Sequence, residues 1–176
     1  TENFDQSDVD IPEKEYCVCT THRFENIFNR DIFIQNLNLI EEAAKDIKVL
    51  FILHPVTEKK LIQFGLMNRL ETNHNIELRP RYDYFDFMKL VYNSEFVVSD
   101  GGSNQEECFY MGKPCILLRK ATERQEGIGK NVIVSEYKLD VFKHFLTNYK
   151  SMQSGFLKTA LSPVDIIIEN ISSYQS

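Results

Sequence analysis

The chain has 176 residues, which is enough for one packed domain and too few for two domains of ordinary size. Hydrophobic residues make up 43% of it, with only 7 glycines and 5 prolines, so it is a globular protein and neither a disordered nor a repetitive one. Its net charge of -6 argues against nucleic acid and anionic membrane as partners, because both bind surfaces with surplus positive charge.

The first 14 residues, TENFDQSDVDIPEK, are polar and acidic, and the chain begins without methionine. We interpret residues 1–14 as a linker or a cut N-terminus and residues 15–176 as one domain of a longer protein. The acidic start is unlike a secretory signal, and no apolar run approaches the roughly 20 residues that a membrane helix needs. We therefore predict a cytoplasmic protein without a membrane partner.

Apolar runs of strand length alternate with segments of helical spacing along the rest of the chain. Strands are predicted at 16–20, 49–53, 76–78, 96–98, 114–118 and 131–134. Helices are predicted at 31–47 with Asp31 as cap, 57–70, 83–91 with Asp83 as cap, 103–111, 139–149 and 164–171. The strand runs lack polar alternation, which indicates that both faces of the sheet are covered. The predicted fold is α/β, Rossmann-like and doubly wound, with a mainly parallel sheet.

Four cysteines occur, and two of them, Cys17 and Cys19, alternate within the first predicted strand. Cysteine packs readily as a small apolar residue, so we predict buried free thiols that share one face of the strand. A zinc site would need more convergent ligands than this spacing offers, and no metal or other cofactor is predicted.

The turn SDGGS, after the fourth predicted strand, is a candidate phosphate site. Gly101 and Gly102 should let the backbone approach a ligand and adopt positive φ, and the amides at the following helix start can bind phosphate. Ser103 is placed to cap that helix or to bond a phosphate oxygen. Glu107, about one turn further on, could accept hydrogen bonds from a ribose diol, although acidic residues near a helix N-terminus are also favourable without any ligand.

Basic residues and histidines follow other predicted strands. Arg119, Lys120 and Arg124 could neutralise a pyrophosphate, or could form a solvated loop paired with Glu123 and Glu126.

A lone histidine is usually structural or on the surface, but His22 and His54 each follow a strand directly, which strengthens the case for ligand contact at both. In a parallel sheet these loops meet at the carboxyl edge, where ligands bind.

The ordered motifs TTHRFEN, LHP, DYFDFMKLV and SDGGSNQEECFYMGKPCILLRKATERQEG resemble the C-terminal lobe of bacterial UDP-N-acetylglucosamine 2-epimerases, including the hydrolysing members. The resemblance implies one lobe of a two-lobed fold of the glycosyltransferase B type, with a nucleotide-sugar in the cleft. It also implies an isomerase in which UDP leaves by elimination across C1 and C2. UDP then re-adds with C2 inverted, or water replaces it and N-acetylmannosamine is released.

The resemblance also assigns roles to individual positions. Glu107 matches the ribose-binding carboxylate, Arg124 the UDP-contacting arginine, and His22 a catalytic histidine near the reacting sugar. The other positions implied to contact UDP or the sugar are the diphosphate turn Gly101, Gly102 and Ser103, the uracil neighbours Tyr82 and Phe87, His54, and the second-rank candidates Arg23 and Arg119.

Two departures from the family pattern limit these expectations. The turn reads Asp-Gly-Gly-Ser-Asn where Asp-Ser-Gly-Gly-Ile is commoner, so the hydroxyl has moved. The acid–base carboxylates of the family belong to an N-terminal lobe that this sequence does not include. We therefore expect the isolated chain to be inactive and its partners to be UDP, a UDP-N-acetyl-hexosamine and that missing lobe, with a homodimer of the intact protein also open.

Two further interpretations remain at this stage. The chain could be the nucleotide-sugar-binding lobe of a related glycosyltransferase or of a non-catalytic nucleotide-sugar binder, and neither would depend on His22. It could also be a Rossmann-like domain that works with an unrelated partner.

Overall fold

The computed structural model describes residues 9–155, which fold around one parallel sheet. Within these residues the strands are β1 Tyr16–Thr20, β2 Lys48–Leu53, β3 Ile76–Pro80, β4 Val97–Ser99, β5 Cys115–Leu117 and β6 Val132–Val134. Their order is β3-β2-β1-β4-β5-β6, and every pairing is parallel. This is the strand order of a doubly wound nucleotide-binding fold, as predicted.

Seven helices lie within the same residues. They are α1 Phe24–Ile27, α2 Arg30–Ala43, α3 Pro55–Gln63, α4 Met67–Glu71, α5 Tyr84–Asn93, α6 Gly102–Met111 and α7 Leu139–Met152. None of the helices between residues 9 and 155 is long and apolar enough to cross a membrane.

Alternating side chains of β1 enter two separate hydrophobic layers. Cys17 and Cys19 join the layer that contains residues of α2, α3, α4 and α7, whereas Tyr16 and Val18 join the layer that contains residues of α5 and α6. Helices thus cover both faces of the sheet, which is why the strand sequences show no polar alternation. All four cysteines are buried and free, and the first two share one face as predicted.

Several local predictions are wrong. Helix α2 begins one residue earlier than predicted, and its cap is Asn29, whose side chain accepts from the amides of Asp31 and Ile32 at 3.1 and 3.2 Å. The helix predicted at 57–70 is two helices, because Gly65 between them has a φ of 68°. The short helix α1 lies between the first predicted strand and the helix predicted from residue 31, where no helix was predicted.

Two other predictions concern the ends of the chain. Residues 9–11 lie against the domain: Val9 and Ile11 pack on the second hydrophobic layer, and the main-chain oxygen of Asp10 accepts from Arg79 at 2.6 Å. The predicted boundary at residue 14 stays a prediction, and the helix predicted at 164–171 lies outside the described residues.

The connectivity reverses between β1 and β4. From β1 the chain proceeds outwards through β2 and β3, and then returns to place β4 on the other side of β1. A crevice opens at such a switch point, just beyond the carboxyl ends of the two strands. Thr20 and Ser99 are the register partners there, so the loops that begin at residues 21 and 100 lie side by side.

Candidate functional site

A pocket of about 490 Å³ lies at this switch point. Its walls come from the segments that follow β1, β2, β3 and β4. The lining residues are Thr20, His22, Ile52, His54, Arg81, Tyr82, Asp83, Tyr84, Phe87, Ser103, Asn104 and Glu107. Six of the residues predicted from the sequence are among them: His22, His54, Tyr82, Phe87, Ser103 and Glu107.

Asp100, a residue that the sequence analysis did not single out, organises the loop that follows β1. Its carboxylate is fully buried and accepts from the Thr21 hydroxyl at 2.5 Å, from the amides of His22 and Arg23 at 3.0 Å, and from the Asn26 side chain at 2.8 Å. The loop after β1 is therefore folded around one negative charge supplied by the loop after β4. This network fixes the backbone from which the His22 side chain enters the pocket.

His22 and His54 stack on each other, with ring centroids 5.5 Å apart. The Nδ1 atom of His22 lies 3.4 Å from an oxygen of Asp100, whereas the buried Nδ1 atom of His54 has no hydrogen-bond partner among the described residues. Burial, together with the nearby His22 and Arg81, lowers the pKa of His54. His54 therefore favours the neutral form near physiological pH.

The two glycines of the turn are needed for close packing and not for an unusual backbone. Gly101 has a φ of −82°, and Gly102 is not among the positive-φ residues of the described chain, so the prediction of positive φ is wrong. A Cβ atom on Gly101 would lie 3.3 Å from His22 Cε1, and one on Gly102 would lie 2.5 Å from Arg124 Nε. The side chains of His22 and Arg124 therefore both pack directly against this turn.

The amides at the start of α6 remain available to a ligand. Gly101 occupies the N-cap position and no side chain caps the helix, so the alternative that Ser103 is the cap is wrong. Ser103 is exposed on the pocket wall one residue into the helix. Uncapped amides at a helix start carry partial positive charge and attract anions such as phosphate.

Glu107 faces the same pocket from the next turn of α6. Tyr84 lines the same pocket. Burial raises the pKa of Glu107, and the nearby Tyr84 hydroxyl partly opposes that shift by favouring the ionised form. The side chain is thus a partly desolvated carboxylate that faces an open space.

Tyr82, Phe87 and Arg81 form the wall of the pocket beyond β3. Tyr82 and Phe87 are partly buried and pack on the second hydrophobic layer, which holds them in place. Arg81 is exposed and lies close enough to His54 to influence the pKa of that residue. Two aromatic side chains beside a cation suit a flat heterocycle that carries an anionic group.

The three predicted arginines lie outside the lining of the pocket, and each is paired with a carboxylate, whereas Lys120 is exposed. Arg23 bonds Glu25 at 2.6 Å, and Arg119 bonds Glu123 at 2.8 Å. Arg124 pairs with Glu106 in the first turns of α6.

The predicted alternative of a paired basic loop is therefore correct for Glu123. It is not correct for Glu126, whose main-chain oxygen instead accepts from the side chain of Gln105 at 2.9 Å. Gln105 also donates to the main-chain oxygen of Arg124 at 3.2 Å, so this buried side chain holds the basic loop against α6.

Metal binding finds no support in the described part of the chain. No group of three His, Cys, Asp or Glu side chains within residues 9–155 converges closely enough to hold an ion.

Comparisons with known proteins identify the family of this chain. A family model described as UDP-N-acetylglucosamine 2-epimerase matches residues 1–156. The chain belongs to this family. A UDP-N-acetylglucosamine 2-epimerase of Methanococcus maripaludis is 38% identical over 120 residues, which cover 67% of this chain and 33% of that protein.

Two solved structures of the UDP-GlcNAc 2-epimerase of Methanocaldococcus jannaschii show the same fold. The first has a TM-score of 0.81 and 26% identity, and covers 97% of this chain and 48% of that one. The second, in complex with UDP-GlcNAc and UDP, has a TM-score of 0.73 and 28% identity, and covers 92% and 46%. The chain thus spans a third to a half of the length of these relatives, and the domain corresponds to one lobe of a two-lobed fold of the glycosyltransferase B type.

Three residues at or beside the pocket of this 2-epimerase family member were missed by the sequence analysis. Asp100 directly follows an apolar strand and precedes two glycines, and this position is a signal for a buried, backbone-binding carboxylate. Tyr84 and Arg81 carried no comparable signal, because an isolated polar residue near a helix start is usually exposed.

Proposed function

We propose that this domain holds the UDP portion of UDP-N-acetylglucosamine within a two-lobed 2-epimerase. The observation that carries the proposal is the convergence, in one pocket at the switch point, of an uncapped helix start, a partly buried carboxylate, two aromatic side chains and two histidines. Each of these elements matches one chemical part of the nucleotide-sugar.

The proposal assigns each part of the ligand to a group of residues. The diphosphate binds at the turn Gly101, Gly102 and Ser103, through the amides of Gly102 and Ser103, because the Gly101 amide already donates to the Ser99 hydroxyl at 3.0 Å. Arg124 then leaves Glu106 and binds a phosphate oxygen. Glu107 accepts from the ribose hydroxyls, and the uracil lies against Tyr82 and Phe87. The sugar then projects past His22 and His54 towards the open side of the pocket, with Arg23 and Arg119 as outer, second-rank contacts.

The proposed reaction is elimination followed by addition. A base removes the proton on C2 of the sugar while the C1–O bond breaks, and UDP leaves with the bonding electrons to give a glycal. Re-addition of UDP with protonation on the opposite face of C2 gives UDP-N-acetylmannosamine, and addition of water in the hydrolysing variant gives free N-acetylmannosamine. His22 is the residue of this domain placed beside the reacting sugar.

This chemistry requires a second lobe, which we propose is part of the same protein. General acid–base catalysis requires groups within hydrogen-bond distance of C2. The resemblance to the family implies that the carboxylates with this role lie on the second lobe, across the cleft. Phe24 is 70% exposed, and Phe28 and Val56 are also exposed, on the helices that begin next to His22 and His54. An apolar rim of this kind beside the pocket suits contact with that lobe.

Three further expectations belong to the same proposal. The 176-residue chain alone binds UDP weakly and gives no measurable turnover, because one lobe cannot exclude water from the reacting sugar. The intact protein acts in the cytoplasm, and a homodimer is compatible with this proposal.

Binding of UDP to the 176-residue chain is the first test. Isothermal titration calorimetry should show binding of UDP and much weaker binding of AMP, which carries a different base and only one phosphate. Equal or absent binding of the two nucleotides would refute the proposed nucleotide site.

Replacement of His22 in the intact protein tests the reaction. His22→Ala should lower kcat far more than the affinity for UDP, whereas His74→Ala, at an exposed loop position, should change neither. If His22→Ala lowered UDP affinity and left turnover untouched, a glycosyltransferase or a non-catalytic nucleotide-sugar binder would be the better description.

A further inference from the structure

The side chain of Asn26 connects four of the segments that follow strands of the sheet. Asn26 itself lies after β1, and its amide nitrogen donates to Asp100, after β4, and to the main-chain oxygen of Leu118, after β5, both at 2.8 Å. Its amide oxygen accepts from the hydroxyl of Tyr137, after β6, at 2.8 Å. Asn26 is fully buried, so these three hydrogen bonds form without competition from solvent.

The chemistry of the neighbours fixes the orientation of this buried amide. The ionised Asp100 carboxylate and the Leu118 carbonyl can only accept hydrogen bonds, so the NH₂ group must face them. The amide oxygen then has the Tyr137 hydroxyl as its donor. Burial, together with the nearby Glu25 and Asp100, raises the pKa of Tyr137, so the phenol keeps the proton that it donates.

The backbone at Tyr137 is held in an unfavourable conformation. Glu136 and Tyr137 have φ values of 50° and 59°, and they are the two non-glycine residues with positive φ between residues 9 and 155. Residues with a Cβ atom adopt this region only where surrounding contacts hold them there, and such positions are concentrated at functional sites. At Tyr137 the amide donates to the Ser135 hydroxyl at 3.2 Å, and the main-chain oxygen accepts from the Gln35 side chain at 2.8 Å.

The same network continues to the backbone that carries His22. Asp100, which accepts from Asn26, also accepts from the amides of His22 and Arg23 at 3.0 Å. Without the Tyr137 hydroxyl, the Asn26 oxygen would be buried without a donor, which favours rotation of the side chain or entry of water. Either change would disturb the bond from Asn26 to Asp100 and weaken the support of both amides.

We propose that Tyr137 is a positioning residue for the reaction: it fixes the Asn26 amide and, through Asp100, the backbone from which His22 reaches the sugar. The catalytic part of this inference rests on the proposed function, because it assumes that His22 acts on the bound nucleotide-sugar. Tyr137 lies outside the lining of the pocket, so it acts through Asn26 and not through contact with the ligand.

NMR spectroscopy of the 176-residue chain tests the structural step. Tyr137→Phe removes only the hydroxyl, and the control Tyr110→Phe removes one from an exposed tyrosine of α6 outside the lining of the pocket. Tyr137→Phe should move the amide proton resonances of His22 and Arg23 upfield, because their hydrogen bonds to the carboxylate become weaker. Tyr110→Phe should leave both resonances in place. A loss of stability alone does not move these signals, since they report on the folded state.

Turnover of the intact protein tests the catalytic step. Tyr137→Phe should lower kcat about threefold to tenfold, because catalysis by His22 depends on its placement beside the sugar. The dissociation constant for UDP should change by less than about twofold, because the amides of Gly102 and Ser103 make no bond to this network. Tyr110→Phe should change neither quantity.

The outcomes separate this inference from the proposed function. If the His22 and Arg23 resonances stay in place in Tyr137→Phe, the inference is wrong, and the titrations with UDP and the His22→Ala variant decide the proposed function independently. If the resonances move but kcat is unchanged, while His22→Ala does lower kcat, Tyr137 is not a positioning residue for the reaction and the proposed function stands. If His22→Ala also leaves kcat unchanged, the proposed role of His22 and the catalytic part of the inference are both wrong.

Discussion

Replacing Asp100 with asparagine should destabilise the folded chain, because one buried carboxylate holds the whole loop after β1. Four donors reach it: the Thr21 hydroxyl, the amides of His22 and Arg23, and the side-chain amide of Asn26. Asparagine keeps the shape but removes the charge, and its NH₂ group must face an N–H donor.

The size of the effect follows from these contacts. Each hydrogen bond to a charged acceptor contributes about 1 kcal/mol more than one to a neutral acceptor, so four donors set an upper limit of about 4 kcal/mol. Part of this is recovered because a neutral amide costs less to bury, which leaves about 2–3 kcal/mol. For a chain of this length that corresponds to a fall in Tm of roughly 4–12 °C.

Urea unfolding followed by circular dichroism measures the change, with Asp83→Asn as the control. Asp83 undergoes the same chemical substitution at an exposed helix cap, where asparagine is an equally good residue, so the change should stay within about 0.5 kcal/mol. If Asp100→Asn cost no more than the control, the loop would not depend on the buried carboxylate, and the account of how His22 is positioned would be refuted.

Two further predictions concern the ligand. Gly102→Ala should weaken UDP binding about tenfold, because the added Cβ displaces Arg124 and a loss of roughly 1.4 kcal/mol corresponds to that factor. The free energy of unfolding in urea should change by less than about 1 kcal/mol. Unchanged affinity for UDP in calorimetry would contradict this prediction. Because burial raises the pKa of Glu107, UDP affinity should fall as the pH is lowered through that raised value, and Glu107→Gln should flatten the profile. Without ligand the sign reverses: the folded chain binds this proton more tightly, so the free energy of unfolding falls as the pH rises from the ordinary carboxyl value to the raised one.

Local signals in the sequence determined the strands and most helices. Continuous apolar runs mark buried strands wherever they occur, and Asp83 caps its helix as the sequence predicts, because a cap bonds amides only a few residues away. The same locality explains the errors. Asn29 and Asp31 are both suitable caps, and whether Gly65 ends a helix depends on how the next segment packs against the core.

The spacing of motifs also placed most of the pocket correctly, since the carboxyl ends of parallel strands must share one edge. His22, His54, Ser103 and Glu107 were all predicted for that edge, and all line the pocket. Their proposed contacts with UDP remain predictions that the experiments above address.

Only the tertiary structure decided which of these groups meet. The strand order sets β1 beside β4, and this brings Asp100 to amides that lie 77 and 78 residues away in the chain. It also pairs Arg124 with Glu106, although Glu123 and Glu126 lie nearer to Arg124 in the sequence. Hydrogen bonds and ion pairs depend on distances of a few ångströms in space, and separation along the chain does not set those distances.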